Sequence, residues 1–373
     1  MGWTGVWATL VTALLFLNSA AAADRWDLQY FYDKNDSSLA FTDLSFSSPL
    51  HGAALGVVAG RDRQRPVLAL TYDGGRNWTL VSLKEAVVSL FFSNDQTGWL
   101  AGAKNHLWKT QDGGRTWKSA APKGVRADVL RVFFLDESRG WLLCSQKQIY
   151  STNDGGRSWQ LLEASRRPDP PDASTFYTWA AFQQETGLLT GWSRPPDPRS
   201  EILEWIRPEL RPPSRHPTTA VFLHTADGGR SWNPSVLRNF GEIVRARILP
   251  SGAAALLLIQ RPDSLASPSA IVELDLKTLQ SHPVYQNRSR WLTDLALLGP
   301  DTTLAAAVDQ EGRAPFPAIP SKLKILRSVG FNNWTEMQVD YRAEARAALL
   351  AAPDSTHAWV ATDTGMILTL VKD

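Results

Sequence analysis

Thr110-Gln111-Asp112-Gly113-Gly114-Arg115-Thr116-Trp117 decides the fold of this chain, because the same pattern returns without gaps at 71–78, 152–159 and 225–232. An aspartate at the start of a turn accepts hydrogen bonds from the turn's backbone N–H groups, and a glycine pair supplies positive φ without steric cost. The residues ahead of each copy, such as Leu107-Trp108-Lys109 and Phe222-Leu223-His224, alternate as strands do. The tryptophan then carries a large apolar side chain back into the sheet. Each copy reads as a hairpin with a hydrophobic peg. The residues with structural duties are Asp73, Gly75 and Trp78, then Asp112, Gly114 and Trp117, then Asp154, Gly156 and Trp159, and finally Asp227, Gly229 and Trp232.

A second signature precedes the hairpins. It is clearest as Phe91-Phe92 followed by Gly98-Trp99, and as Phe133-Phe134 followed by Gly140-Trp141. Each unit therefore holds four antiparallel strands, A to D, with the Asp-Gly-Gly turn joining C to D. Units of this kind recurring about every 40 residues predict a β-propeller, and the repeat overrides the two or three domains that length alone suggests. The segments 242–283 and 291–337 read as blades that have lost the aspartate, although the latter keeps Trp334. The C-terminal stretch from Ala345 supplies only three strands. Its last, around Ile367, aligns with strand C of the Leu107 unit and puts Leu370 at the Thr110 position, while Asp24-Arg25-Trp26 reads as an exit into strand D. The expected architecture is an all-β, seven-bladed propeller closed by the N-terminal strand joining the C-terminal blade. Six and eight are the neighbouring counts.

Of 373 residues, 43% are hydrophobic and 20% charged, and the chain carries 25 Gly and 23 Pro, which fits a turn-rich globular protein and excludes a disordered one. The net charge of +2 offers no broad basic footprint, so no nucleic-acid partner is expected. One cysteine, Cys144, excludes an intramolecular disulfide framework and a Cys-based zinc site. The apolar run from Val6 to Leu17, followed by Ala20 to Ala23, reads as a signal peptide over residues 1–23, leaving residues 24–373 as one propeller domain. An uncleaved N-terminal membrane tether is the alternative. Either way the body of the chain is expected outside the cytoplasm: periplasmic, secreted or in the thylakoid lumen. No later apolar run is long enough to span a membrane.

The Phe, Gly-Trp and Thr-x-Asp-Gly-Gly-x-Thr/Ser-Trp pattern resembles the Asp-box, or bacterial neuraminidase, repeat. In this combination it is most similar to the photosystem II assembly and stability factor family of seven-bladed propellers. That resemblance implies a non-catalytic scaffold in photosynthesis that binds protein partners. Related boxes occur in sialidases, glucanases and sortilin-type receptors, so the repeat identifies the fold and leaves the activity open. The family's N-terminal Arg-Ile-Pro signature is absent, and a proline-rich insert occupies 193–218.

The Asp-Gly-Gly turns and the lengthened loops fall on opposite faces. The long loops, 60–67, 164–175, 193–218, 261–270, 281–290 and 309–322, mark the candidate binding face. Trp205, Arg207 and Arg211 in the insert are the candidate anchors, since aromatic and arginine side chains dominate interface hot spots. Arg131, Arg245 and Arg346 are candidates for the channel lining, as are Asp43, Asp128 and Asp294 at early strand-A positions on the loop-rich rim. Two of those carboxylates would suit glycoside hydrolysis, so a glycoside hydrolase, sialidase-like enzyme or carbohydrate-binding propeller acting at the channel mouth is the alternative reading. The six histidines lack metal-ligand spacing and there is no phosphate loop, so neither metal nor cofactor is expected. The expected partner is a protein, such as a membrane-protein assembly intermediate, bound by a monomer.

Overall fold

The computed structural model describes residues 24–34, 36–167, 174–194, 218–261, 267–309 and 319–372. The signal-peptide reading of residues 1–23, and Trp205, Arg207 and Arg211 of the insert, lie outside the described residues.

The chain is a seven-bladed β-propeller of antiparallel sheets. Blade 1 runs Ser38–Phe46, Gly52–Ala59, Gln64–Thr71 and Thr79–Ser82, from the axis outward. Inner strands Val87–Phe92, Val129–Phe134, Thr175–Gln183, Glu242–Ile248 and Arg290–Leu297 open blades 2 to 6. Blade 7 takes Ala348–Ala351, Trp359–Thr362 and Met366–Val371 from the C-terminal end and Arg25–Phe31 from the N-terminal end. The N-terminal strand closes the C-terminal blade as expected, with Trp26 facing Leu370. A clamp not foreseen adds to it. Gln338–Val339 pairs in parallel with Arg25 and Trp26, Asp340 N–H donates to the Trp26 carbonyl at 2.9 Å, and Trp26 is fully buried.

The aromatic pattern now has a packing cause. Phe46, Phe92 and Phe134 end their inner strands, and Phe182 stands one residue from the end of its own, opposite Gly52, Gly98, Gly140 and Gly187. The rings lie over those glycines, and a Cβ at Gly98 would stand 2.6 Å from the Phe92 ring. Each ring meets the tryptophan of its own blade's turn edge-on, as Phe92 meets Trp117 at 5.9 Å. The preceding blade's strand-B tryptophan stacks on the face: Trp99 on Phe134 at 3.8 Å and Trp141 on Phe182 at 4.7 Å. Blade 1 has Ala53 where that tryptophan would be, and there His51 packs against Phe92 instead, at 4.6 Å.

Two expectations are corrected. Residues 281–290 are not a long loop, since Ser281–Asn287 is the outer strand of blade 5. An outer strand faces solvent on most of its length, so it lacks the apolar alternation that marks a strand in sequence. Arg346 does not line the channel; it lies ahead of its inner strand, nearly half exposed, and pairs with Asp363 at 2.8 Å.

Candidate functional site

The four Asp-Gly-Gly turns are built alike. In the 110–117 copy Thr110 Oγ1 donates to Asp112 Oδ1 at 2.8 Å and receives Gly114 N–H at 2.9 Å. Asp112 also accepts the Thr116 N–H at 2.9 Å and the Thr116 hydroxyl at 2.5 Å. These donors hold the Asp112 carboxyl down at about 2. Gly113 and Gly114 adopt φ of 71° and 89°, which L-side chains rarely reach. Both oxygens of the aspartate are committed to the turn, so it is a structural part. The arginines of these turns are exposed at the tips, and Arg115 lies over the Tyr72 ring at 4.2 Å.

The channel is where unusual chemistry gathers. Six of the seven inner strands carry a β-bulge, whose extra residue is Thr42, Val88, Leu130, Thr178, Val244 or Thr293 in turn. A bulge re-aims the next side chain. The residue after each bulge, three before the end of the aromatic column, is Asp43, Ser89, Arg131, Trp179, Arg245 or Asp294, and Leu349 takes that place in blade 7. This ring closes on itself across the axis. The Trp179 indole is flanked by the guanidiniums of Arg131 at 4.3 Å and Arg245 at 4.2 Å. Arg131 lies 3.5 Å from Asp43, reaching past the small Ser89, and Arg245 donates to Asp294 at 2.8 Å. Trp179 Nε1 donates to the Ala246 carbonyl at 3.1 Å, which sets the indole's orientation.

Arg247 is added one step further along, 5.0 Å from the same indole and 4.0 Å from Asp294. Three guanidiniums therefore meet two carboxylates. Burial lowers the Arg131 guanidinium, and it lowers that of Arg247 to about 10, with Arg245 and Arg131 pushing the same way.

Asp43 and Asp294 are not early in their strands or on a rim, as expected; they are mid-strand and almost fully buried. Asp43 accepts Leu90 N–H at 2.8 Å and Asp294 accepts Leu350 N–H at 2.9 Å, so each ties its blade to the next. With an arginine beside each as well, neither carboxylate is placed like a free glycosidase acid. Asp128 is exposed and lies ahead of its inner strand, off the ring. Cys144 is fully buried, and burial pushes its thiol up to about 12. Among the described residues no group of histidine, cysteine and carboxylate side chains is arranged to hold a metal. No helix among them is long and apolar enough to cross a membrane.

The ring separates two cavities. The upper one, about 330 Å³, lies toward the Asp-Gly-Gly face, with Arg245 and Arg247 at its floor and Phe91, Phe133 and Phe182 in its wall. Those three rings form a row, 5.0 Å and 5.4 Å apart. The lower one, about 390 Å³, lies toward the loop-rich face. Arg131 and Arg245 were expected from the sequence, whereas Trp179, Arg247 and the phenylalanine row were not. Aligning the inner strands on Phe46, Phe92, Phe134 and Phe182 brings the ring residues into one column, and that was the available signal.

No protein-family model matches the chain, and no curated protein matches it. Solved structures do. A structure of YCF48 bound to D1 peptide aligns with 92% of this chain and 97% of its own, at 16% identity and a TM-score of 0.59. YCF48 from Cyanidioschyzon merolae aligns with 94% of this chain and 98% of its own, at 17% identity and the same TM-score of 0.59. YCF48 is a photosystem II assembly factor, so the resemblance expected from the repeats holds at the level of the fold.

Proposed function

We infer that this chain is an exported, non-catalytic propeller that binds an extended acidic segment of a protein partner in the upper cavity, the partner being a photosystem II assembly intermediate. The observation that carries this reading is the excess of guanidiniums over carboxylates beneath the aromatic row of Phe91, Phe133 and Phe182. A desolvated cation under apolar walls suits a segment with a carboxylate next to apolar side chains, because charge-assisted hydrogen bonds are strong where water is excluded. The match to a YCF48 structure holding a D1 peptide supports a peptide as the ligand class. The commitment of Asp43 and Asp294 to backbone amides and arginines supports a non-catalytic role. The apolar run from Val6 to Leu17 supports export to the periplasm, the thylakoid lumen or the medium, and a monomer suffices for the cavity.

The test is a set of peptides tiling D1, titrated against the wild-type protein and the Arg247→Gln and Phe133→Ser variants. Binding by an acidic-apolar peptide that weakens about tenfold or more in either variant supports the reading. Binding that both variants leave intact moves the site elsewhere, and absence of binding by every peptide removes the photosystem partner.

A further inference from the structure

His51 closes the A–B turn of blade 1, is only 3% exposed, and has both ring nitrogens engaged. Nε2 lies 3.0 Å from the carbonyl oxygen of Gly113 in the Asp-Gly-Gly turn of blade 2. Nδ1 lies 2.9 Å from the Ser47 hydroxyl oxygen. That hydroxyl donates at 2.7 Å to Asp95 Oδ1, in the A–B turn of blade 2, and Ser48 donates to Asp95 Oδ2 at 2.9 Å. One chain of contacts therefore runs from Asp95 through Ser47 and His51 to Gly113, and it joins blade 1 to blade 2 at both ends.

Counting hydrogens along that chain fixes the state of the ring. A carbonyl oxygen only accepts, so Nε2 carries a hydrogen. A hydroxyl has a single hydrogen, and Ser47 gives it to Asp95. The contact between Ser47 and Nδ1 is then a bond only if Nδ1 supplies a second hydrogen. This extra proton belongs on the imidazole, because a carboxylate is the weaker base and both oxygens of Asp95 already accept. The other charged or titratable groups on the elements packed against the ring are Tyr72, Asp73 and Arg76 from the blade 1 turn, and Asp112 and Arg115 from the blade 2 turn. Tyr72 donates to the same Gly113 carbonyl at 3.1 Å. Asp73 and Asp112 are bound within their own turns, Arg76 is exposed, and Arg115 lies over the Tyr72 ring. Asp95 is the carboxylate that answers His51.

Blade 3 makes the same link with a permanent cation. Arg139 stands five residues after Phe134, as His51 stands five after Phe46, and Glu185 stands three after Phe182, as Asp95 stands three after Phe92. Arg139 donates to Glu185 at 3.0 and 3.1 Å and to the Gly228 carbonyl, the counterpart of Gly113, at 3.4 Å. The position that holds a guanidinium at one seam holds an imidazole at the other.

We propose that His51 is an imidazolium in the folded protein and that its second proton works a clasp between blades 1 and 2. With the proton, the chain from Asp95 to Gly113 is complete. Without it, the bond between Ser47 and His51 is lost and the A–B turn of blade 1 is freed from its neighbour. The clasp therefore holds below the pH at which His51 gives up the proton and loosens above it. The turn leads directly out of Phe46, which lines the upper cavity, so the device sits at that cavity's rim whatever the cavity binds.

The test is long-range nitrogen–proton NMR of the histidine rings in the whole protein, with His51→Gln to assign the signal. At neutral pH the His51 ring should carry hydrogen on both nitrogens, and Ser47→Ala and Asp95→Asn should each leave hydrogen on Nε2 alone. Raising the pH until the wild-type ring loses its second hydrogen should lower the exchange protection of the Ser47 and His51 amides about tenfold or more. His51→Arg, which copies Arg139, should keep the protection of its turn amides across that step. A wild-type ring with one hydrogen at neutral pH overturns the proposal. So does a second hydrogen that survives both Ser47→Ala and Asp95→Asn, or amide protection that ignores its loss or falls equally in His51→Arg.

Discussion

Trp359 of the last blade stacks on Phe46 of the first, with ring centroids 3.8 Å apart and planes 6° from parallel. It is the same contact that Trp99 makes with Phe134, carried across the closure of the ring. Gln29 of the N-terminal strand braces it, receiving the Trp359 Nε1 hydrogen at 3.1 Å and donating to the Gly74 carbonyl at 3.0 Å. Truncating a fully buried aromatic typically costs about 3–5 kcal/mol. Phe46 is only partly buried, so Phe46→Ala is expected to destabilise the protein by less than that, about 2 kcal/mol, read as a fall in the urea midpoint at unchanged slope.

Removal of Arg25–Phe31 should have a different consequence. It takes the fourth strand from blade 7 and leaves Met366–Val371 as a bare edge beside an unfilled Trp26 site. Exposed edges pair with other chains. The truncated protein should melt lower and self-associate on light scattering, and the point variant Trp26→Ala should lower the melting temperature without self-association.

Acid should loosen the turns. Hydrogen bonds from the residue four places on, Asn77, Thr116, Ser158 or Ser231, hold Asp73, Asp112, Asp154 and Asp227 below the usual carboxylate range. A carboxyl that binds its proton more weakly when folded than when unfolded, where it titrates near about 3.9, stabilises the fold above that pH. The contribution fades as pH falls through the folded value, which for Asp112 is about 2. In Thr116→Ala the Asp112 carboxyl should titrate measurably higher in carbon-detected NMR, while Asp154 keeps its midpoint.

The Cys144 thiol, buried and raised to about 12, should be inert. Thiol reagents at mildly alkaline pH are expected to label it only after unfolding, so the labelling rate reports global opening and not local breathing.

Much of this was legible because the decisive contacts are local. The Thr110, Asp112, Gly114 and Thr116 bonds close within one turn, so the motif reveals the hairpin wherever it occurs. The blades without an aspartate were readable from strand runs and from Trp334. The outer strand Ser281–Asn287 was missed because half-exposed residues carry no alternation. Asp43 and Asp294 were found as channel residues, but their level was misjudged, since each depends on a bulge that shifts the register by one residue.

Residue patterns alone were enough for the blades, their turns, the aromatic pegs and the pairing of the N-terminal strand with the C-terminal blade, because each follows from neighbours along the chain or from one repeat matching another. The axial stack came only with closure. Arg131, Trp179 and Arg245 belong to three different blades and Asp43 and Asp294 to two more, so the repeat puts them in one column without saying which of them touch. They meet because the ring brings one residue from each inner strand to a common level, where five large side chains share a space too narrow to hold them apart. Their charge balance, and the two cavities they divide, are properties of that level and of no single segment.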